Sequence, residues 1–268
     1  MILILKEIIR ALLPSKIWCV LAYFYYDLMI INARIKYFFW GNEINNLKEI
    51  PIIINNYNRL SSLQRLITSL TKRGYKNIFI IDNNSSYEPL LSYYKETPYP
   101  VFRLDRNVGF QALWKTDIFN KFKRSYYVYT DSDMEIDDSC PDDFLQYFYS
   151  ILKRYPFSLK VGFGLRIDDL PDCFLNKSKV IEWEAQFWKR EVSTGIYKAK
   201  IDTTFALYRP YCGKSASSYY DAYRTGSPYL IRHLPWYLDS SCMDEEEIYY
   251  IESVNQSTHW TVLNKVDV

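Results

Sequence analysis

Two carboxylates, Asp131 and Asp133, close a run of β-branched and aromatic residues, Tyr126-Tyr-Val-Tyr-Thr. In an extended chain, residues i and i+2 project to the same side. Two carboxylates so placed make a hard, oxygen-rich site that suits Mg²⁺ or Mn²⁺. The simplest use of such a metal is to hold a diphosphate and stabilise it as it leaves. Asp-x-Asp also occurs in ordinary solvated turns, so the surrounding elements decide its meaning.

The pair can work only if the run before it is a buried strand. In open α/β sheets, ligands gather at the C-terminal ends of strands. The upstream sequence supplies such a sheet. Residues 49–54 read as a buried first strand, followed by the polar loop Asn55-Asn-Tyr-Asn-Arg59. Ser61 or Ser62 can cap a helix to about residue 73, with Leu63, Leu66, Ile67 and Leu70 on one face and Gly74 ending it. Residues 77–81 form a second strand, 88–95 a helix, 101–104 a third strand, 107–109 a turn and 111–122 a helix, before the strand 126–130. This β-α-β-α-β-α-β order predicts a doubly wound, mostly parallel sheet with helices on both faces.

The C-terminal half is less regular. It reads as a helix over 142–155, a strand over 161–167, a helical segment over 179–189 and a strand over 201–208 stopped by Pro210. A loop-rich aromatic stretch follows, through His233-Leu-Pro-Trp236-Tyr237, and then an acidic helix over 244–253. The expected organisation is an N-terminal helical segment, 1–48, and one domain, 49–268, divided into halves at 49–135 and 136–268.

Bulk properties narrow the classes. The 268 residues are 49% hydrophobic and 24% charged, which is a globular composition. A net charge of +2 offers no basic excess for nucleic acid. The 26 tyrosines suit a sugar or base site, and equally a biased codon usage. The five cysteines are odd in number, widely spaced and without Cys-x-x-Cys, which argues against a disulfide framework or a zinc site and for a reducing cytosol. Residues 17–31 are strongly apolar but interrupted by Asp27, too short to span a bilayer, and followed by no small-residue cleavage site. Lys6, Arg10, Lys16, Arg34 and Lys36, with Trp18, Tyr23, Phe38 and Trp40, fit a helix pair lying on an anionic membrane surface at the cytoplasmic side. An ordinary helix packed on the main domain fits as well.

Four segments in order carry a family resemblance. They are Pro51-Ile-Ile-Ile-Asn-Asn-Tyr57-Asn58-Arg59, Ile80-Ile-Asp82-Asn-Asn-Ser85, Asn107-Val-Gly109-Phe-Gln-Ala112 and Thr130-Asp131-Ser-Asp133. Together they resemble the family-2-type glycosyltransferases of the GT-A fold, over roughly residues 50–135. The resemblance implies a GT-A-like α/β fold with an aromatic, loop-rich acceptor region. It also implies a metal-dependent, inverting transfer of a sugar from a nucleotide-diphosphate donor to a hydroxyl of a glycan or lipid-linked glycan, as in surface polysaccharide assembly. Two departures stand out. Trp114 falls where many members carry Arg or Asn, and the late acidic pair that often supplies the base has no clean copy.

The resemblance assigns roles residue by residue. Asp131 and Asp133 would hold Mn²⁺ or Mg²⁺ and, through it, the donor diphosphate; His233 would complete the metal shell. Asp82 would accept from the nucleobase; an ionised carboxylate is acceptor-only and suits an imide such as uracil, which favours a UDP-sugar. Tyr57 would cover the base, Asn58 and Arg59 would lie along the nucleotide with Arg59 on phosphate, and Asn107 and Gly109 would shape the loop below the donor. The resemblance assigns no base; the candidates are Asp202, in the strand expected over 201–208, and Glu184, beside two tryptophans, while Trp183 and Trp236 would stack on acceptor sugars. Competing readings are a non-catalytic carbohydrate-binding subunit of the same fold and a sugar-phosphate nucleotidyltransferase. The latter wants a glycine-rich loop after the first strand, and residues 55–59 contain no glycine.

Overall fold

The computed structural model describes residues 15–212, 222–239 and 241–254. It opens with one long helix, α1 (Ser15–Trp40). Of the helix pair expected over residues 1–40, the first 14 residues lie outside the described ones. α1 turns Ile30 and Ala33 onto Leu159 and Cys212, and Tyr37 makes an edge-to-face contact with Tyr126 at 5.6 Å. No helix among the described residues is long and apolar enough to cross a membrane.

The first half follows the expected order. It comprises β1 (Ile52–Asn56), α2 (Ser61–Lys72), β2 (Ile78–Asp82), α3 (Glu88–Glu96), β3 (Val101–Arg103), the short helices α4 (Ala112–Lys115) and α5 (Phe119–Phe122), and β4 (Tyr127–Asp131). These strands pair in parallel in the order β3-β2-β1-β4. Alternation sorts their side chains. Ile52 and Ile54 join Leu63, Leu66 and Leu70 of α2 on one face, while Ile53 and Tyr129 join Ala112, Leu113 and Phe122 on the other. Each of the isoleucine, leucine and phenylalanine side chains among them contributes about 1.5–3 kcal/mol by leaving water. The single helix expected over 111–122 is broken. Thr116 is extended and gives its hydroxyl to the Ala112 carbonyl, an alternative to the helical ladder that threonine offers readily.

The second half adds β5 (Met134–Ile136), α6 (Phe144–Arg154), β6 (Lys160–Leu165), α7 (Lys177–Ala185), β7 (Glu191–Ser193), β8 (Ile196–Lys198), β9 (Ala206–Tyr208), β10 (Ala222–His233) and α8 (Glu245–Ser253). The sheet continues β4-β9-β6-β10-β8-β7, with β5 also on β10, and here the pairing is mixed. Two expectations change. The strand expected over 201–208 is confined to β9, because residues 201–205 peel away to cross the end of β4, where the Thr203 carbonyl receives the Asp131 N–H. The stretch expected to be loop-rich contains β10, a 12-residue strand shared by β5, β6 and β8. Gly162 of β6 is required where that strand meets β9: a Cβ there would lie 2.4 Å from the Phe205 carbonyl oxygen. The cysteines whose side chains are described, Cys140, Cys173, Cys212 and Cys242, are free thiols.

Candidate active site

The C-terminal ends of β1, β2 and β4 form a ridge of buried polar groups, an expensive arrangement unless each finds a partner. Asn107 accepts the Gly109 N–H at 2.8 Å, a local turn completed by Gly109 at φ +80°. The neighbouring Val108 N–H donates to Asn83 Oδ1 at 3.2 Å, Asn83 Nδ2 to Asn55 Oδ1 at 2.6 Å, and Asn55 Nδ2 to Asp131 Oδ1 at 3.2 Å. Asn107 and Gly109 thus stand at the far end of a relay of amides that ends on the first carboxylate. The other oxygen of Asp131 accepts the Thr203 hydroxyl. Burial, with Asp133 nearby as the next cause, pushes the Asp131 carboxyl well up from its ordinary range.

Asp133 has a different environment. Burial works to raise its pKa, but His233 and Arg59 outweigh it and bring it down to about 2. β10 delivers His233: antiparallel pairing sets His233 opposite Met134, and the Leu234 N–H donates to the Asp133 carbonyl at 2.8 Å. His233 Nε2 lies 3.5 Å from Asp133 Oδ2. Asp133 Oδ1 and His233 Nδ1 are both shut off from solvent without a hydrogen-bond partner. Among the described residues, no three His, Cys, Asp or Glu side chains converge as a ready-made metal cage. That still fits Mg²⁺ or Mn²⁺ in a phosphate-handling site, where one or two carboxylates suffice because substrate phosphate and water supply the remaining oxygens. The orphaned Asp133 oxygen is the group that would take the ion, with His233 beside it.

The loop after β1 is held differently from expectation. Arg59, expected on phosphate, is buried and paired end to end with Glu247 of α8, Nη1 to Oε2 at 2.8 Å and Nη2 to Oε1 at 2.9 Å, and lies 3.8 Å over the Tyr250 ring. Asn58 is fully buried at φ 49°. Its Oδ1 accepts the N–H groups of Ser86 and Tyr87, and its Nδ2 donates to Ser253 at 2.8 Å. Tyr57 donates its hydroxyl to the Ser253 carbonyl at 2.9 Å. All three residues are clasped by α8 in this state. Asp82 is fully buried and accepts from the Ser85 N–H at 3.2 Å, Arg103 Nε at 3.2 Å and the Tyr94 hydroxyl at 3.3 Å.

The acceptor-side expectations divide. The Asp202 side chain is exposed beside Thr203, and its charge reaches Asp131. Glu184, the alternative base, has another use: it is buried and ion-paired with Arg224 at 2.6 Å, because an apolar setting that excludes water demands an opposite charge. Trp183 is half exposed on α7. Trp236 is buried with its ring edge-on to His233 at 4.8 Å, so it braces the histidine and offers no open face to a sugar. Trp114, the departure noted above, donates to the Tyr127 hydroxyl at 3.1 Å and packs on Tyr129 and Tyr208.

Sequence reasoning missed Asn55, Asn83, Thr203 and Glu247. Two asparagines ending an otherwise isoleucine strand are a usable signal, since a buried strand tolerates amides only where they have partners. Thr203 and Glu247 reach the site from 72 and 188 residues away, and no local pattern marks them.

Residues 52–195 match the sequence profile of Glycosyl transferase family 2. No curated protein matches the chain. Among solved structures, GalNAc-T7 with UDP, GalNAc and Mn²⁺ is similar at 19% identity and TM-score 0.42, over 63% of this chain and 36% of that one. S. aureus TarS 1-349 is similar at 11% identity and TM-score 0.42, over 70% of this chain and 60% of that one. The same TarS fragment in complex with UDP gives 13% identity and TM-score 0.40, over 69% and 60%. The chain therefore spans less than two thirds of the length of these structures.

Proposed function

We propose that this chain, a member of glycosyl transferase family 2, is a glycosyltransferase that moves a sugar, with inversion, from a nucleotide-diphosphate sugar to a hydroxyl of a glycan or lipid-linked glycan. The observation that carries this reading is the pair Asp131 and Asp133 at the end of β4, with a buried, unpartnered Asp133 oxygen beside His233. Mn²⁺ or Mg²⁺ held by Asp133 with His233 would supply positive charge for the departing diphosphate, the main electrostatic need of the reaction. Asp131, fixed by Asn55 and Thr203, orients that end of the strand. Asp202 is the base in this proposal, since its carboxylate is exposed at the site while Glu184 is engaged by Arg224. UDP is the favoured carrier. Asp82 offers only acceptors, and its Arg103 partner is half exposed, so a base N–H could replace that contact. A role in surface polysaccharide assembly at the inner face of the cytoplasmic membrane is proposed from family analogy alone.

A thermal-shift screen of nucleotide diphosphates with and without Mn²⁺ tests the donor site, because a ligand that binds only the folded state raises the midpoint by mass action. A Mn²⁺-dependent shift with UDP, lost in Asp133→Asn, is the expected result. A shift with another nucleotide alone overturns the role of Asp82. Silence from every nucleotide favours a non-catalytic carbohydrate-binding subunit.

A further inference from the structure

We infer that α1 is a dimerisation helix, pairing with the α1 of a second copy of this chain through the face it turns away from its own domain. Ile17, Leu21, Phe24, Leu28, Ile31, Ile35 and Phe38 are all exposed, between 42% and 82%. They follow one another in an unbroken alternation of four- and three-residue steps. That 3.5-residue period, with Leu21, Leu28 and Ile35 at one core position and Ile17, Phe24, Ile31 and Phe38 at the other, is the signature of a helix seated against another helix.

The seam is not the helix's docking face. Ile30, Ala33 and Tyr37, which anchor α1 to the domain, lie on the opposite side of the wheel. Two copies can therefore meet along the seam with their catalytic domains on the outside. At roughly 100 Å² of exposed apolar surface per seam residue, the face amounts to about 700 Å², near the ~800 Å² per partner of a stable interface.

Charge favours a second copy over lipid. A helix that lies on a membrane sets a polar, lysine- and arginine-rich face against its apolar one. Here Ile30 and Ala33 on the reverse face are buried against Leu159 and Cys212, and Asp27 borders the seam where an anionic surface would repel it. An antiparallel pair solves the same problem. Stacking Leu28 on the partner's Ile31, and Ile35 on the partner's Phe24, brings Asp27 beside the partner's Arg34, and two-fold symmetry makes the contact twice.

Sedimentation of the full chain from low to high micromolar concentration tests this. The expected result is a dimer that dissociates on dilution, with Leu28→Glu weakening association at least ten-fold while circular dichroism and the nucleotide-induced thermal shift stay unchanged. Phe38→Glu, at the most exposed seam residue, should do the same and serves if the first variant misfolds. Asp27→Arg should weaken the dimer and Asp27→Arg with Arg34→Asp should restore it. A monomer at every concentration overturns the proposal, including one that binds phosphatidylglycerol vesicles through Leu28. So does a dimer indifferent to both seam variants. A seam-dependent dimer that the double reversal fails to restore overturns the antiparallel register.

Discussion

The two halves of the sheet each pair a buried carboxylate with an arginine but differ in what else holds their polar residues. In the β3-β2-β1-β4 half, a relay of amides joins the ends of neighbouring strands, Asn83 to Asn55 to Asp131, beside the ion pair of buried Asp82 with Arg103. In the β9-β6-β10-β8 half, buried polar groups are partnered by charge and by carbonyls from distant segments. Glu184 is matched by Arg224, and Lys160 Nζ is ringed by the Ile201 and Asp202 carbonyls and the Tyr208 hydroxyl at 2.7–3.1 Å. The amide relay reaches Asp131 through neutral groups alone. Buried ions fix a mixed-direction sheet whose strands have fewer local reasons to choose their neighbours.

The contrast breaks most sharply at Asp133. Asp133→Asn should lower turnover on the order of 10³-fold while leaving the melting temperature close to wild type, because it removes a group aimed at developing charge. Steady-state kinetics beside a thermal melt checks it; full activity would end the metal assignment. Glu184→Gln should do the converse. It leaves Arg224 buried and unpaired, at a cost of about 3–5 kcal/mol in a denaturant titration, whereas Asp202→Asn should cut turnover about 10²–10⁴-fold at constant stability. A stable, inactive Glu184→Gln would return the base to Glu184.

A subtler test lies in pH. Burial, the largest influence on Lys160 and stronger than the attraction of Asp202, lowers its pKa from 10.5 to about 7. Between those values the unfolded chain holds the proton and the folded chain does not. Stability from this group therefore rises with pH across that window, at up to about 1.4 kcal/mol per unit, and the full penalty is present below pH 7. Melting temperature against pH should climb less steeply in Lys160→Met than in wild type. The smallest effect is expected from Gly109→Ala. Its φ of +80° has room for a methyl group but strains any L residue, so about 1–2 kcal/mol should be lost with the relay intact.

These particulars explain what the sequence could reveal. Strands β1 to β4 were legible because runs of β-branched and aromatic residues alternate with helical segments and each ends in a polar residue. Asp131, Asp133 and the Asn107–Gly109 turn are local patterns of this kind. β10 was not legible. A strand paired on both sides by non-neighbours, with Gly226 and a cis Ser227–Pro228 bond inside it, carries the composition of a loop. Glu184 beside Trp183 read as an acceptor site because nothing near it in sequence shows Arg224 arriving from 40 residues away. A buried charge and an exposed one look alike in the sequence.

The clasp of α8 on the loop after β1 has a consequence for how the protein is made. Its contacts, Glu247 with Arg59, Glu246 with the Ser61 N–H and Ser253 with Tyr57 and Asn58, join residues 185 to 196 positions apart. A ribosome delivers one side of that clasp long before the other, and contacts so distant in sequence form late. The early strands can assemble while Arg59 still lacks its carboxylate. The loop after β1 acquires its final shape only after residue 253 has been translated, so a product stalled before α8 would carry the early strands without a finished loop.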